Sequence, residues 1–175
     1  MENNEQLTTV KSVSIKWGLI LGIVSIALFL ISAVSGLQGN TAMQWIGYIP
    51  TIIVFYLAHK EFKDGGDGFM SYGQGLGIGT LIATISGALS SVFAYSYIKF
   101  IDSSFMDTIK EQQIESMMDN GMSDAEIEQA LEMSEAFMTP EFILIMGLLA
   151  SVFFGFLISL VVSAFTKNNN PALEV

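Results

Sequence analysis

The sequence predicts an all-α integral membrane protein: a four-helix bundle with an extramembrane acidic helical hairpin between spans three and four. Three observations carry this. Of the 175 residues, 51% are hydrophobic and only 14% charged, with a mean hydropathy of +0.55, a balance too apolar and charge-poor for an ordinary soluble domain. The apolar residues fall in blocks long enough to cross a bilayer, which takes about 20 of them for a hydrocarbon core of about 30 Å. The charge, finally, is concentrated in one segment.

Four stretches meet the length requirement. The first, 15–34, has only Lys16 charged, at its edge. Its lead-in is acidic rather than basic and no small-residue cleavage site follows, so it is expected to be an uncleaved transmembrane helix rather than a signal peptide. The second, 42–58, is uncharged and short, at about 26 Å of helix. The third, 69–101, holds only Lys99, and at about 50 Å it should project or unwind at one or both ends. The fourth, 142–165, is uncharged throughout.

The lysines orient these spans. Lys11, Lys16, Lys60, Lys63 and Lys167 fall on one side, Lys99 and Lys110 on the other. Basic loops stay inside, which predicts that both termini of this multi-pass chain are cytoplasmic. The aromatic residues near the span ends, Trp17, Tyr56 and Tyr72 on one side and Trp45, Tyr48, Tyr95 and Tyr97 on the other, check the boundaries without deciding the orientation.

Residues 102–141 form the acidic hairpin. Eleven carboxylates stand against Lys110 alone, so this segment carries the whole net charge of −10. Ser103 or Ser104 can cap a first helix with Phe105, Ile109, Gln113 and Met117 on one face. Asn120-Gly121 stops it, and Ser123 with Glu126 is expected to form a capping box for a second helix. That helix carries Ile127, Leu131, Ser134 and Met138 on one side. Thr139-Pro140-Glu141 then starts span four. Glu128, Glu132 and Glu135 align at spacings that suggest a cation site, but a solvated helix back is the ordinary explanation, and the EF-hand pattern is missing. The Met-rich apolar side suits adaptable contacts with a partner, or simply covers the neighbouring helix. Ile127, Leu131 and Met138 are the expected partner-binding residues.

Within the spans, small residues recur every four positions. Gly18 and Gly22 begin a ladder in span one, Gly75, Gly79, Ala83, Gly87 and Ser91 form one in span three, and Gly147, Ser151, Gly155, Ser159 and Ser163 form another in span four. Small residues let helix backbones approach closely in lipid, where hydrophobic burial gives little drive. The ladders serve internal packing or a homo-oligomer, and the pattern does not separate the two. Asp64-Gly65-Gly66-Asp67-Gly68 is expected to be a simple flexible turn. Pro50 predicts a kink in span two, and His59 is expected to be a solvated interfacial histidine.

Whole function classes fall away on composition. A net charge of −10 and no arginine exclude a nucleic-acid-binding surface. The absence of cysteine removes disulfides, thiolate metal sites and a thiol nucleophile, and one histidine leaves no multi-histidine metal site. No carboxylate lies within a span, no nucleophile–base pair is suggested and no cofactor motif appears, so the protein is expected to be no enzyme and to use no cofactor. Proton-coupled transport lacks a mid-membrane ionisable group.

The segment FKDGGDGFMSYGQGLGIG (62–79) and the hairpin EQQIESMMDNGMSDAEIEQALEMSEAFMTPEF resemble an uncharacterised membrane family common in Bacteroidota, domain of unknown function 4199. The resemblance covers nearly the whole chain. It implies a four-span protein of the cytoplasmic membrane and supplies neither an activity nor site residues. The expected function is therefore a non-enzymatic interaction or structural subunit, partnered by the lipid bilayer and by another membrane protein or further copies of itself, that uses its acidic outer hairpin. The alternative is a small-solute transporter or channel subunit with a route lined by glycine and serine.

Overall fold

The computed structural model describes residues 8–37, 41–135 and 137–171. They form six helices: α1 (Val10–Ser35), α2 (Thr41–Asp64), α3 (Tyr72–Phe100), α4 (Phe105–Asp119), α5 (Asp124–Glu135) and α6 (Pro140–Thr166). Among the described residues the β-type pairing is one isolated bridge, Met70 with Asn168. The helix starts follow from local chemistry. Thr9 and Ser12 cap α1 reciprocally, each side chain meeting the other's backbone N–H at 3.0 Å, and Gly36 closes it with a left-handed φ of 67°. Ser71 and Gln74 make the same box at the head of α3. Thr139 accepts from the Phe142 N–H, with Pro140 in the first turn of α6.

Three of these helices, α1, α3 and α6, are long and apolar enough to cross a membrane. The boundaries differ from the sequence expectation where caps intervene. The third apolar stretch begins at Phe69, but helix starts only after Ser71, because Met70 is extended and paired with Asn168 (N···O 2.8 and 2.9 Å). α2 runs on to Asp64 rather than ending near Ala58. Its last two turns are polar, which dilutes the apolar character of the element.

The glycines set the register. A methyl on Gly18 would lie 2.8 Å from Ile85 Cβ, and one on Gly22 would lie 2.7 Å from Leu89 Cδ2. Both pairs keep one sequence offset, so α1 and α3 run parallel. Gly75 faces Ser163, Gly79 faces Ser159, Gly155 faces Ala83, Gly87 faces Ser151 and Gly147 faces Ser91. As one number rises the other falls in equal steps, so α3 and α6 run antiparallel with glycine against a small side chain at every rung. α3 is thus the central helix, with α1 and α6 on its flanks.

The buried core lies toward one end of the bundle, among Val13, Phe55, Ala58, Met70, Ile78, Ile82 and Val162. α2 contributes to it only through Val54 to Phe62. Elsewhere the long helices turn large apolar side chains outward, with Ile23, Val34 and Phe165 at 64, 84 and 86% exposure. That is the surface of a chain whose solvent is lipid.

Candidate functional site

The hairpin is fastened by aromatic packing to the end of the bundle away from the glycine joint. Phe105, at the start of α4, is buried with its ring 5.4 Å from that of Phe29 on α1 and 6.1 Å from that of Tyr97 on α3. Such pairs contribute about 0.5–1.5 kcal/mol each beyond area burial. Gln112 donates to the Gly36 carbonyl at 2.8 Å, a second tether to α1. At the other end of the hairpin, Lys99 pairs with Glu141 at 2.7 Å and donates to the Tyr95 hydroxyl at 2.8 Å.

Between α4 and α5 lies an open groove of about 510 Å³. Its apolar lining is Met106, Met118, Ile127, Leu131 and Met138, and carboxylates of Asp107, Asp124, Glu128, Glu132 and Glu135 rim it. Lys110 is the one cation in that lining. The three residues expected to bind a partner are therefore together, but not equivalent. Ile127 is only 5% exposed and holds the hairpin itself, while Leu131 and Met138 are half-buried. Met118, one of the methionines of the Met-rich apolar side and 57% exposed, is the groove's accessible apolar contact.

The caps of the hairpin differ in detail from their sequence reading. Ser104 precedes α4 but makes no side-chain cap; its hydroxyl is held by Asp102 Oδ1 at 2.6 Å. Asn120-Gly121 ends α4 as expected from composition, with Gly121 at φ 78°. Glu126 accepts from both the Ser123 N–H at 2.8 Å and its hydroxyl at 2.7 Å. The hydroxyl thus donates to the carboxylate instead of capping the helix. These two bonds, the backbone one first, hold the Glu126 carboxyl below its ordinary value of 4.5. Among the described residues no group of three acidic or histidine side chains is placed to hold a metal ion.

The opposite end of the bundle corrects the expectation for His59. It is fully buried rather than solvated. Nε2 meets the Gly75 carbonyl at 2.9 Å and Nδ1 the Thr166 hydroxyl at 2.8 Å. Because a carbonyl only accepts, the Nε2 proton is fixed by its partner. The imidazole thereby ties α2 to α3 and α6, a role invisible in the sequence because Gly75 and Thr166 are distant along it. Lys63 donates to the Thr166 carbonyl at 3.0 Å, which places a cation at the negative end of α6. The glycine turn is also more than a linker: the Thr8 N–H donates to Gly65 O at 3.3 Å and Asn168 Nδ2 to Gly68 O at 3.1 Å. Both described chain ends therefore meet the same joint.

The ladder residues Gly18, Gly22, Gly75, Gly79, Ala83, Gly87, Gly147, Ser151 and Gly155 all lie at contacts between α3 and its two neighbours within one chain. Their spacing is spent inside the bundle, and none of these contacts needs a second copy. The segment 62–79 supplies several of the parts just described: the Lys63 contact, the glycine joint, the buried Met70, the Ser71–Gln74 cap and the His59 acceptor Gly75.

No curated protein and no solved structure matches the chain. A family model does, over residues 16–168, from the second turn of α1 past the end of α6. That span takes in the bundle, the joint and the hairpin, so the chain belongs to the family described as Protein of unknown function (DUF4199).

Proposed function

We propose that the protein is a non-enzymatic interaction subunit that crosses the bacterial cytoplasmic membrane four times, with both termini in the cytoplasm and the acidic hairpin outside. Support for the fourth crossing comes from topology. α1 and α3 are parallel, so the chain must return across the bundle between them, and α2 is the element that does so. Its 24 residues correspond to about 36 Å at 1.5 Å per residue, enough for a core of about 30 Å. The joint, with Lys11, Lys16, Lys60, Lys63 and Lys167 around it, is then cytoplasmic by the positive-inside rule.

The observation that carries the interaction reading is the groove between α4 and α5. An apolar floor rich in methionine adapts to the shape of a helix laid into it. A rim of carboxylates selects for positive charge and repels acidic segments. The partner that fits is a cationic amphipathic segment of another membrane protein, exposed at the outer surface. Photo-crosslinking in intact cells tests this. A photoreactive residue at Met118 in the groove should give a discrete adduct, lost when Glu128→Lys and Glu132→Lys reverse the rim. The same residue at Met133, 70% exposed and outside the groove lining, should give none. Absence of an adduct from Met118, or equal adducts in the rim variant, would overturn the reading.

A further inference from the structure

A second cavity, of about 250 Å³, lies where all four long helices meet. Hydroxyl groups line it from every helix: Ser25 on α1, Tyr48 and Thr51 on α2, Ser86 and Ser90 on α3, and Ser151 on α6. No charged residue lines it. The polar groups are only loosely committed. Thr51 donates to the Gly47 carbonyl at 3.4 Å, Ser86 to Ala83 at 3.3 Å and Ser90 to Gly87 at 3.3 Å. These are beyond the usual range for O–H···O bonds of about 2.5–3.0 Å. Away from the chamber, the corresponding bonds of Thr80, Thr84 and Ser96 are each 2.8 Å. Ser151, at 2.9 Å to the Leu148 carbonyl, is the exception among the lining groups. Weakly bonded hydroxyls retain both a proton to give and lone pairs to offer.

Phe55, Ile78 and Ile82, all fully buried, form an apolar layer toward the joint, where Phe55 lies against Gly155 of the chamber lining and against Gly79. Below that apolar plug the polar lining resumes. Ser159 reaches the Gly75 and Leu76 carbonyls only at 3.4 and 3.3 Å. Ser163 Oγ is buried with no hydrogen-bond partner among the described residues. His59 and Thr166 follow. Polar groups thus run along the bundle interior on both sides of one aromatic side chain. Above it, Tyr48 and Thr51 of α2 are half-buried.

We propose that this chamber binds a small neutral polar solute and that Phe55 is the gate between it and the polar cluster at His59. Uncharged hydroxyls in lipid-surrounded protein replace the hydration of a neutral solute, whereas an ion would enter without a counter-charge. This goes beyond the hairpin reading and does not depend on it. The test is flux into liposomes of bilayer-forming lipid carrying the full chain, with glycerol as the probe and light scattering as the readout. Phe55→Ala should raise glycerol entry at least several-fold over empty liposomes. Adding Ser90→Leu, which fills the chamber from a half-buried position, should return it to the empty-liposome rate. Circular dichroism and monodisperse elution confirm that each variant is folded. A folded Phe55→Ala protein whose liposomes match empty ones would overturn the proposal, as would flux unaffected by Ser90→Leu.

Discussion

Exchanging one methyl group across the α3–α6 contact isolates the packing term that holds the bundle together. Gly155 on α6 faces Ala83 on α3, and a methyl on Gly155 would clash with the Ala83 Cβ. Both residues are buried, Ala83 at 3% exposure. Gly155→Ala alone gains about 1 kcal/mol of helix propensity. It also forces the helices apart, and overpacking a tight contact costs about 1–3 kcal/mol. Ala83→Gly alone loses about 1 kcal/mol of propensity and leaves a methyl-sized hole worth about another 1 kcal/mol. The double variant moves the methyl to the other helix at constant volume, and its propensity terms cancel. It should therefore be within about 1 kcal/mol of the parent, with a coupling energy of about 2–4 kcal/mol between the two sites, the sum of the overpacking and cavity terms and at the upper end of what residues in contact show. Reversible denaturation in mixed micelles, measured for all four proteins of the cycle, gives this number directly. Additive effects would mean that the two residues do not meet, and the antiparallel register would be wrong. Propensity cannot mimic the coupling, since it contributes equally whether or not the other site is changed.

Two further outcomes follow from the polar contacts. His59→Ala leaves the Gly75 carbonyl and Thr166 without their partner and opens a cavity, so it should cost about 2–5 kcal/mol, while Lys60→Ala on the exposed neighbouring position should change stability by about 0.5 kcal/mol or less; equal melting temperatures for the two variants would remove the cross-link. Glu126 has a folded-state pKa below its unfolded value of 4.5, so its contribution is complete above pH 4.5 and is lost as pH falls through the depressed folded value. Amide protection at the start of α5 should accordingly exceed that of Glu126→Ala at neutral pH, and the excess should shrink in acid; a pH-independent difference would show that the carboxylate charge is irrelevant to the cap.

What the sequence discloses about this protein divides along a physical line. Periodicity and end signals are local, so the helices of the hairpin, the Asn120-Gly121 stop and the Thr139-Pro140 start can be read from neighbouring residues alone. The ladders are local too, but their partners are not. A step of four says that Gly75 and Gly79 sit near one face; only the fold says that Ser163 and Ser159 fill the gaps. His59 was misread for the same reason. A histidine between Ala58 and Lys60 at the end of an apolar run has every local mark of an interface residue, and its burial depends on Thr166, which lies across the joint. α2 shows the limit from the other direction. Its composition falls short of the three more apolar helices, and its place in the bundle is argued from the parallel arrangement of α1 and α3 rather than from its own residues.

The two ends of the bundle are built on different principles. At the joint, backbone and side-chain bonds from Thr8, His59, Lys63, Asn168 and the Met70 bridge link every segment that arrives there. Loss of any one would be felt by its neighbours, which is how a structural hub behaves. At the hairpin end, contacts are fewer and mostly aromatic or ionic at the surface, through Phe105, Gln112 and the Lys99–Glu141 pair. An exposed ion pair of that kind adds little, because solvent screens it, so the hairpin is held chiefly by Phe105 and its ring neighbours. Elements that must accommodate a partner are drawn from the less tightly held part of a fold. The groove between α4 and α5 and the hydroxyl-lined chamber both lie toward that end. Binding of a cationic segment to the hairpin and entry of a solute beside α2 would therefore act on the same loosely held half, with the joint as the fixed point against which either moves.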